Sequence, residues 1–212
     1  MEIILNFKTY QEATGSRSEE LIHICNRVKH APISACVQGV DLFRLSMLAK
    51  FPLFIQHVDA IEPGRNTGFI SAEVVKANGG TGVLLNHSEH RLSFGLLKKT
   101  IERCKKNGLK ILVCSSSLSE AKKIVALDVD GIAYEDPKFI ASGIPVTSKP
   151  AYVKKFVRTI RDIFPGKIIC GAGISKKEDV LKVKELGYDG VLIASAFVLD
   201  DDPELFLKKI VE

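Results

Sequence analysis

The stretch DVDGIAYE (128–135) decides the interpretation of the fold. Its centre, Ile132 to Tyr134, is continuously apolar and ends at the carboxylate of Glu135. A strand without alternating polar positions is covered on both faces, as in parallel sheets flanked by helices. The stretch therefore predicts a buried parallel strand with an acidic residue at its carboxyl end, where a long loop begins.

Seven further runs of the same apolar kind recur along the chain, each followed by a helix-like segment. They are IILNF (3–7), ISACVQ (33–38), LFIQHV (53–58), TGVLLN (81–86), LKILVC (109–114), KIICG (167–171) and GVLIAS (190–195). Eight near-equal strand–helix units predict an α/β fold, a closed eight-stranded parallel β/α barrel in a single domain spanning residues 1–212. A doubly wound open sheet is the alternative, but the G-x-G-x-x-G fingerprint after the first strand is missing.

The chain is short for such a barrel, because about 250 residues is typical and this sequence has 212. Some outer helices must therefore be shortened, and the sequence predicts this for the segment after the third strand, DAIEPGRNTGFIS (59–71). Helix ends are predicted from capping signals. These are Ser18 as the N-cap of the first helix, a capping box formed by Ser175 and Glu178, and a C-terminal stop at Gly108.

The composition excludes several classes of function. The net charge is +5 with the lysines dispersed, tryptophan is absent and there are only four tyrosines, a pattern that argues against nucleic acid binding. The N-terminal segment MEIILNFKTY (1–10) has too short an apolar run for a signal peptide or a membrane span. We therefore expect a cytoplasmic protein with no nucleic acid and no membrane partner.

The cysteine pattern predicts free thiols. The five cysteines are odd in number, widely spaced and without a C-x-x-C pair, which is typical of small buried thiols in a reducing compartment. No cluster of histidine, cysteine and aspartate has the spacing of a metal site, so we expect no metal. His23 and His30 have no partner at ligand spacing, and His57, at the end of the third run, is predicted to pack rather than to line a site.

Polar side chains follow three of the predicted strands at the point where each strand ends. Asn6 and Lys8 come with the first run, His87 and Glu89 follow the fourth, and Glu135 follows the sixth. In a β/α barrel these strand ends meet at one face, which carries the active site. Taken alone, each residue has an ordinary interpretation: a solvated lysine, a loop histidine bonded to backbone, a turn-capping glutamate. Their coincidence on three separate strand ends predicts a catalytic site.

Two glycine- or alanine-containing turns predict the class of ligand. CGAGIS (170–175) and LIAS (192–195) place small residues after the seventh and eighth strands, directly before a helix. Exposed backbone N–H groups at such helix starts bind phosphate, and the loops after strands seven and eight are the usual phosphate site of β/α barrels. The turns are shared by many barrels, so they indicate a phosphorylated ligand and not a reaction.

The motifs together resemble those of the triosephosphate isomerase family. The likeness runs from end to end in the family's order, and the N-H-S-E form is that of its short archaeal branch. The residues that carry it are NFKTY (6–10), NTGFISAEVVKANGGTGVLLNHSE (66–89), LLNHSEHR (84–91), AYEDPKFIASGIPVTS (133–148), CGAGIS (170–175) and LIAS (192–195).

The resemblance implies an enzyme that interconverts dihydroxyacetone phosphate and D-glyceraldehyde 3-phosphate through an enediolate, without a cofactor. It implies Glu135 as the general base, His87 as the electrophile that polarises the carbonyl and Lys8 as the electrostatic stabiliser. Glu89 would anchor Lys8. The implied substrate-binding residues, several of them through backbone N–H groups, are Asn6, Lys8, Ile140, Gly173, Ala194 and Ser195.

The resemblance also implies a mobile lid at about residues 136–147, supported by Gly143. The lid departs from the family's pattern, because Asp136-Pro137-Lys138 stands where a tryptophan is familiar. A homo-oligomer is implied, either a dimer or a tetramer, with an interface loop near Thr67, Gly68 and Phe69. Two other interpretations are another phosphate-binding barrel isomerase and a non-catalytic barrel that binds a sugar phosphate.

Overall fold

The computed structural model describes residues 1–28, 31–135 and 150–211. These residues contain eight parallel strands that close into a barrel in chain order, with β8 hydrogen-bonded back to β1. The strands are β1 (Glu2–Asn6), β2 (Ile33–Val37), β3 (Leu53–Ile55), β4 (Gly82–Leu85), β5 (Lys110–Ser115), β6 (Gly131–Tyr134), β7 (Lys167–Cys170) and β8 (Gly190–Ile193). The predicted closed β/α barrel is confirmed.

Helices alternate with the strands on the outside of the barrel. Those in the described residues are α1 (Ser16–Arg27), α2 (Leu42–Ser46), α3 (Ala72–Ala77), α4 (Phe94–Lys106), α5 (Leu118–Val125), α6 (Pro150–Arg161), α7 (Lys177–Glu185), α8 (Ser195–Val198) and α9 (Pro203–Val211). The predicted shortening after the third strand is confirmed, since α3 has six residues. The helix after β2 is shorter still, with five residues.

Both faces of each strand are buried, and two apolar clusters account for the continuous apolar runs. The larger cluster lies between the strands and the helices and includes Ile3, Leu5, Val83 and Leu85. The smaller cluster fills the barrel itself, and its members are Ile4, Cys36, Phe54, Leu84, Leu112, Cys114, Ala133, Ile169 and Leu192. Successive residues of a strand point to opposite faces, so neighbours such as Ile3 and Ile4 belong to different clusters.

The predicted helix ends are partly wrong. Ser18 is not an N-cap, because α1 begins two residues earlier and is capped by Gly15; the Ser18 hydroxyl instead donates to the Gly15 carbonyl at 2.6 Å. Gly108 follows α4 with a φ of 64°, a left-handed conformation that glycine adopts at low cost. The predicted stop at Gly108 is confirmed.

The N-terminal cap of α7 is formed one residue later than predicted. The side chain of Asp179, and not of Glu178, reaches back to the start of the helix. Its Oδ2 accepts from the backbone N–H groups of Ser175 at 3.1 Å and Lys176 at 3.2 Å. Asp179 is 3% exposed, so the loop between β7 and α7 is tied to the helix by a buried carboxylate.

All five cysteines are free and buried, as predicted: Cys25, Cys36, Cys104, Cys114 and Cys170. Burial raises the pKa of the Cys25 thiol to about 12 and that of Cys170 also to about 12, so both remain neutral. Among the described helices, none combines the length and the apolar character that a membrane crossing requires. His30 lies outside the described residues.

Candidate active site

The carboxyl ends of β1, β4 and β6 bring four ionisable side chains into one cluster. Lys8 Nζ lies 2.6 Å from Glu89 Oε1, and Glu89 Oε2 lies 3.7 Å from His87 Nδ1. His87 Nε2 in turn lies 3.2 Å from Glu135 Oε1. A cation, an imidazole and a carboxylate from three different strand ends therefore face the same end of the barrel, with Glu89 beside both Lys8 and His87.

The contacts of His87 define the orientation of its ring. The backbone N–H of Glu89 donates to His87 Nδ1 at 3.2 Å. This contact favours the tautomer of the ring that carries its hydrogen on Nε2. That Nε2–H points at Glu135 Oε1. The turn after β4 thus holds the ring with Nε2 toward Glu135.

Lys8 occupies a strained backbone position that its neighbours hold in place. Its φ is 47°, in the left-handed region that non-glycine residues rarely adopt. Asn6 Oδ1 accepts from the Lys8 backbone N–H at 3.0 Å, and Gln56 Nε2 donates to the Lys8 carbonyl at 3.0 Å. Gln56 Nε2 is also 3.1 Å from the Cys36 carbonyl. Strain that is maintained by several specific contacts is typical of functional sites.

Glu135 is 3% exposed and is surrounded by hydrogen-bond donors. Its backbone N–H still donates to Ser115 of β5 at 2.9 Å, so the residue belongs to the rigid end of the sheet. The Ser88 backbone N–H approaches Oε2 at 3.5 Å, and the Cys114 thiol makes a hydrogen bond with the same carboxylate. Burial, with Glu135 adding to it, holds the pKa of Cys114 well above its usual range, so the thiol remains a neutral donor.

Gly171, the first residue after β7, leaves the space that the Glu135 side chain occupies. A Cβ added to Gly171 would lie 2.6 Å from Glu135 Cγ and 3.1 Å from the Tyr134 carbonyl oxygen. The backbone of Gly171 does not have a positive φ, so its conformation is open to other residues. The absence of a side chain is required here by the packing of Glu135.

A second network fixes the loop that carries His87. Asn86 has a φ of 60°, and its Nδ2 donates to the Cys114 carbonyl at 2.9 Å and to Glu120 Oε1 at 3.2 Å. Asn86 Oδ1 accepts from the Leu92 backbone N–H at 3.0 Å. Arg91 forms an ion pair with Glu120. The loop after β4 is therefore attached to β5 and to the start of α5.

A cavity of about 460 Å³ opens beside Lys8, His87 and Glu89. His57 and His90 line it too, and their rings stack with centroids 4.1 Å apart and an interplanar angle of 21°. The prediction that His57 would pack away from the site is wrong, because the loop after β3 turns its ring into the cavity. Partial burial lowers the pKa of His57, and His90 adds to the effect, while the hydrogen bond to Asp59 opposes it.

The remaining predicted site residues lie on loops at the same end of the barrel or outside the described residues. Gly173 follows β7 with a φ of 65°, while Ala194 directly follows β8 and Ser195 begins α8. Ile140 and Gly143, together with the whole predicted lid, lie outside the described residues. Within the described residues, no group of three or more histidine, cysteine, aspartate or glutamate side chains has an arrangement that could hold a metal ion.

Comparison with known proteins assigns the chain to a family. The family model for triosephosphate isomerase matches residues 1–212, the whole sequence. The chain belongs to the triosephosphate isomerase family. It is 38% identical to the triosephosphate isomerase of Methanocaldococcus jannaschii, in a match that covers 100% of this chain and 99% of that protein.

Two further triosephosphate isomerases from methanogens show similar agreement. The protein of Methanothermus fervidus is 36% identical over 99% of this chain and 96% of its own length. The protein of Methanosarcina acetivorans is 35% identical with the same coverage. The resemblance to the triosephosphate isomerase family inferred from the sequence motifs is confirmed, and it extends over the whole barrel, including all three strand ends described above.

Proposed function

We propose that this chain interconverts dihydroxyacetone phosphate and D-glyceraldehyde 3-phosphate. The observation that carries the proposal is the cluster of Lys8, Glu89, His87 and Glu135 at the carboxyl end of a barrel of this family. The reaction moves a proton between two carbons next to a carbonyl group. It needs a base, a donor to the carbonyl oxygen and a positive charge for the anionic intermediate.

Each of the three side chains has one of these roles in the proposed mechanism. The Glu135 carboxylate takes the proton from the carbon beside the carbonyl, while His87 Nε2–H donates to the carbonyl oxygen. The Lys8 ammonium group stabilises the negative charge of the enediolate that forms. A proton passes from the hydroxyl oxygen of the enediolate to the former carbonyl oxygen through His87 Nε2, so that the new carbonyl group can form. Glu135 then returns its proton to the neighbouring carbon, which completes the isomerisation. A carboxylate is a weak base for a C–H bond, so stabilising the enediolate is the larger part of the task.

Binding of substrate must separate His87 from Glu135. Their 3.2 Å contact leaves no room for a substrate atom, and it occupies the Nε2–H that the carbonyl oxygen needs. We infer that the described conformation is the resting one. Substrate takes over the His87 donor, and the Glu135 side chain turns toward the reacting carbon.

The phosphate group is proposed to bind where the loops after β7 and β8 expose backbone N–H groups. The candidates are Gly173, Ala194 and Ser195, joined by Ile140 from the lid. Support for this comes from their position at the carboxyl ends of adjacent strands and from the usual phosphate site of β/α barrels. Residues 136–147, with Gly143, are proposed to close over the substrate and exclude water, which protects the enediolate.

Self-association of the chain is proposed as well, as a dimer or a tetramer. Large apolar side chains are exposed on the loop after β2, on α2 and directly after it, on the loop after β3 and on α3, an unusual concentration for a solvated surface. They are Val40 at 88%, Phe43 at 59%, Met47 at 74%, Phe69 at 58% and Val74 at 55% exposed. The loop of Thr67, Gly68 and Phe69 would contact the neighbouring copy. Five free, buried cysteines support a reducing, cytoplasmic location.

A coupled assay with both triose phosphates, in the presence of a chelator, tests the proposed activity. We expect turnover by the wild type. We expect Glu135→Asp, which withdraws the carboxylate by about 1 Å, to reduce kcat about 100-fold while KM changes little. Phosphate-ester binding without turnover would support the non-catalytic interpretation. Turnover of a different phosphorylated aldose or ketose would support another barrel isomerase.

A further inference from the structure

Residues 59–70, between β3 and α3, form a loop that is closed at its base by Asp59; we call it the β3–α3 loop. The Asp59 backbone N–H donates to the Ile70 carbonyl at 2.8 Å, and Asp59 Oδ2 accepts from the Ile70 backbone N–H at 2.7 Å. Asp59 Oδ1 also lies 3.3 Å from Nε2 of His57, which lines the cavity of the candidate active site. The base of the loop is therefore attached beside that cavity.

Within the β3–α3 loop, two hydrogen bonds connect Glu62 to the exposed tip. Asn66 Nδ2 donates to the Glu62 carbonyl at 2.7 Å, and the Phe69 backbone N–H donates to the Asn66 carbonyl at 3.2 Å. The Phe69 side chain is 58% exposed, so polar contacts within the loop, and not packing of its ring, hold this residue in place. The position of Phe69 therefore depends on the position of Glu62.

Arg103 attaches this part of the loop to helix α4. Its guanidinium Nη1 lies 2.8 Å from Glu62 Oε1, and its Nη2 forms a second ion pair with Glu73, the second residue of α3. The planar fork of an arginine can bind two carboxylates at once. The Arg103 side chain is only 12% exposed, whereas that of Lys106, which lies 3.9 Å from Glu62, is 72% exposed. Arg103 is therefore the cation that fixes Glu62.

We propose that Arg103 is a positioning residue for assembly, which holds the β3–α3 loop so that Phe69 is presented to a second copy of the chain. The inference rests on the proposed self-association and not on the proposed isomerase activity. A loop that is ordered before association loses less conformational entropy when it binds. Without Arg103, the carboxylates of Glu62 and Glu73 would also lose the cation that lies between them and would repel each other.

Analytical ultracentrifugation over a range of protein concentrations measures the subunit dissociation constant of the wild type and of Arg103→Met. The substitution keeps a long unbranched side chain and removes the charge. We expect the dissociation constant to rise about tenfold, because the loop must then be ordered during association. Arg161→Met is the control: Arg161, on α6, also pairs with a carboxylate, that of Asp189. It should change the dissociation constant less than about twofold, and an equal rise in both variants would overturn the proposal.

A double-mutant cycle with Glu62→Gln tests whether Arg103 acts through Glu62. Glu62→Gln alone should raise the dissociation constant about threefold, since it weakens one contact of a partly solvated pair. The double variant should have nearly the dissociation constant of Arg103→Met, because both changes break the same contact. Effects that multiply would contradict the proposal. Glu62 is 74% exposed, so an unchanged dissociation constant in Glu62→Gln would remain decisive if Arg103→Met failed to fold.

Backbone hydrogen exchange measures the order of the loop itself, at concentrations that give the same degree of assembly. In Arg103→Met the amides of Phe69 and Ile70 should exchange about tenfold faster than in the wild type, while the amide of Val83 in β4 keeps its rate. Unchanged exchange at Phe69 and Ile70 would overturn the proposal, as would a wild type that stays monomeric at every concentration. Triose phosphate turnover by the wild type tests the isomerase proposal separately.

Discussion

Several ionisable side chains are constrained and little exposed at the carboxyl end of the barrel, whereas two lysines at the amino end are exposed. At the carboxyl end, Lys8 has a left-handed backbone and Glu135 is nearly inaccessible, and each is held by several hydrogen bonds. At the amino end, Lys110 and Lys167 are exposed and their contacts are few. Strained and buried ionisable groups cost stability, so their concentration at one end marks where the fold is adapted to chemistry rather than to stability.

Removing a charge from the carboxyl end should have the largest effect. We expect Lys8→Ala to lower kcat/KM about 100- to 1,000-fold, the usual loss when one group that stabilises a developing oxyanion is removed. The fold should persist, because Lys8 is tethered through its backbone by Asn6 and Gln56. Steady-state kinetics and circular dichroism of the variant measure both effects.

Glu89→Gln is the matched control for Lys8→Ala. It keeps the shape of the side chain and its hydrogen-bonding capacity but removes the ion pair with Lys8. We expect a smaller loss than for Lys8→Ala, since the ammonium group remains. A Lys8→Ala enzyme with near-normal turnover would remove Lys8 from the mechanism.

A change that adds a single methyl group should have the next largest effect. Gly171→Ala places a carbon in the space of the Glu135 side chain, so the base must shift. A displacement of about 1 Å can cost up to about 100-fold in rate, and we expect kcat to fall about 10- to 100-fold. Since Gly171 acts by positioning Glu135, KM should change little. Gly95→Ala, where nothing lies within 4 Å of the new methyl group, is the control and should leave kcat unchanged.

An unchanged kcat in Gly171→Ala would show that Glu135 accommodates the methyl group without losing its catalytic position. A fall in kcat together with a large loss of thermal stability would instead indicate that the barrel wall around Tyr134 has moved. Glu135→Asp, measured by the same assay, distinguishes the two outcomes, because its loss of kcat arises from the displaced carboxylate alone.

The fold could be predicted from the sequence because the information is local. Each strand is a short, continuously apolar run, and eight of them alternate with capped helices. The same locality identified Lys8, His87 and Glu135, since each directly follows such a run. The helix caps at Ser18 and Ser175 were predicted wrongly because several polar residues precede each helix. Which one caps it depends on tertiary packing, as the buried Asp179 shows.

Contacts between strands could not be predicted in this way. Gln56 of the loop after β3 reaches Asn6 and Lys8 across β2, and the register of the closed barrel, which no local pattern reveals, brings them together. His57 was misassigned for the same reason, since the ring of His90 that it stacks on lies on the next strand's loop. Gly171 is visible in the sequence, but its role beside Glu135 is not, because a glycine directly after a strand is explained equally well by a tight turn.

The His57–His90 pair should make stability pH-dependent at the carboxyl end. The folded pKa of His57 is lowered from its ordinary value of 6.5, chiefly by burial. Above pH 6.5 both states are neutral and the stability is fully present. As the pH falls below 6.5 the unfolded chain takes up the proton first, so the free energy of unfolding decreases. His90 adds to the lowering of the His57 pKa and Asp59 opposes it, while Lys8 and Glu89 line the same cavity.

Urea denaturation at pH 7 and at pH 5 measures this pH dependence. We expect His57→Gln to reduce the loss of stability between the two pH values, because glutamine cannot take up a proton. His23→Gln, which changes an exposed histidine of α1, is the control and should keep the wild-type loss. The same pH dependence in wild type and His57→Gln would mean that other groups cause it.

The smallest effect is expected at the amino end. Lys167→Ala removes the ion pair between Lys167 and Glu2 at the amino end of the barrel. Lys167 is 59% exposed and Glu2 is 14% exposed, so the pair is only partly solvated. We expect the free energy of unfolding to fall by about 1 kcal/mol, the upper end of the range for exposed ion pairs. Triose phosphate turnover should stay within about twofold of the wild type, because the pair lies at the end of the barrel away from Glu135. A tenfold loss of kcat in Lys167→Ala would show that the two ends are coupled through the strands. The contrast between a carboxyl end that carries the chemistry and an amino end that does not affect it would then be wrong.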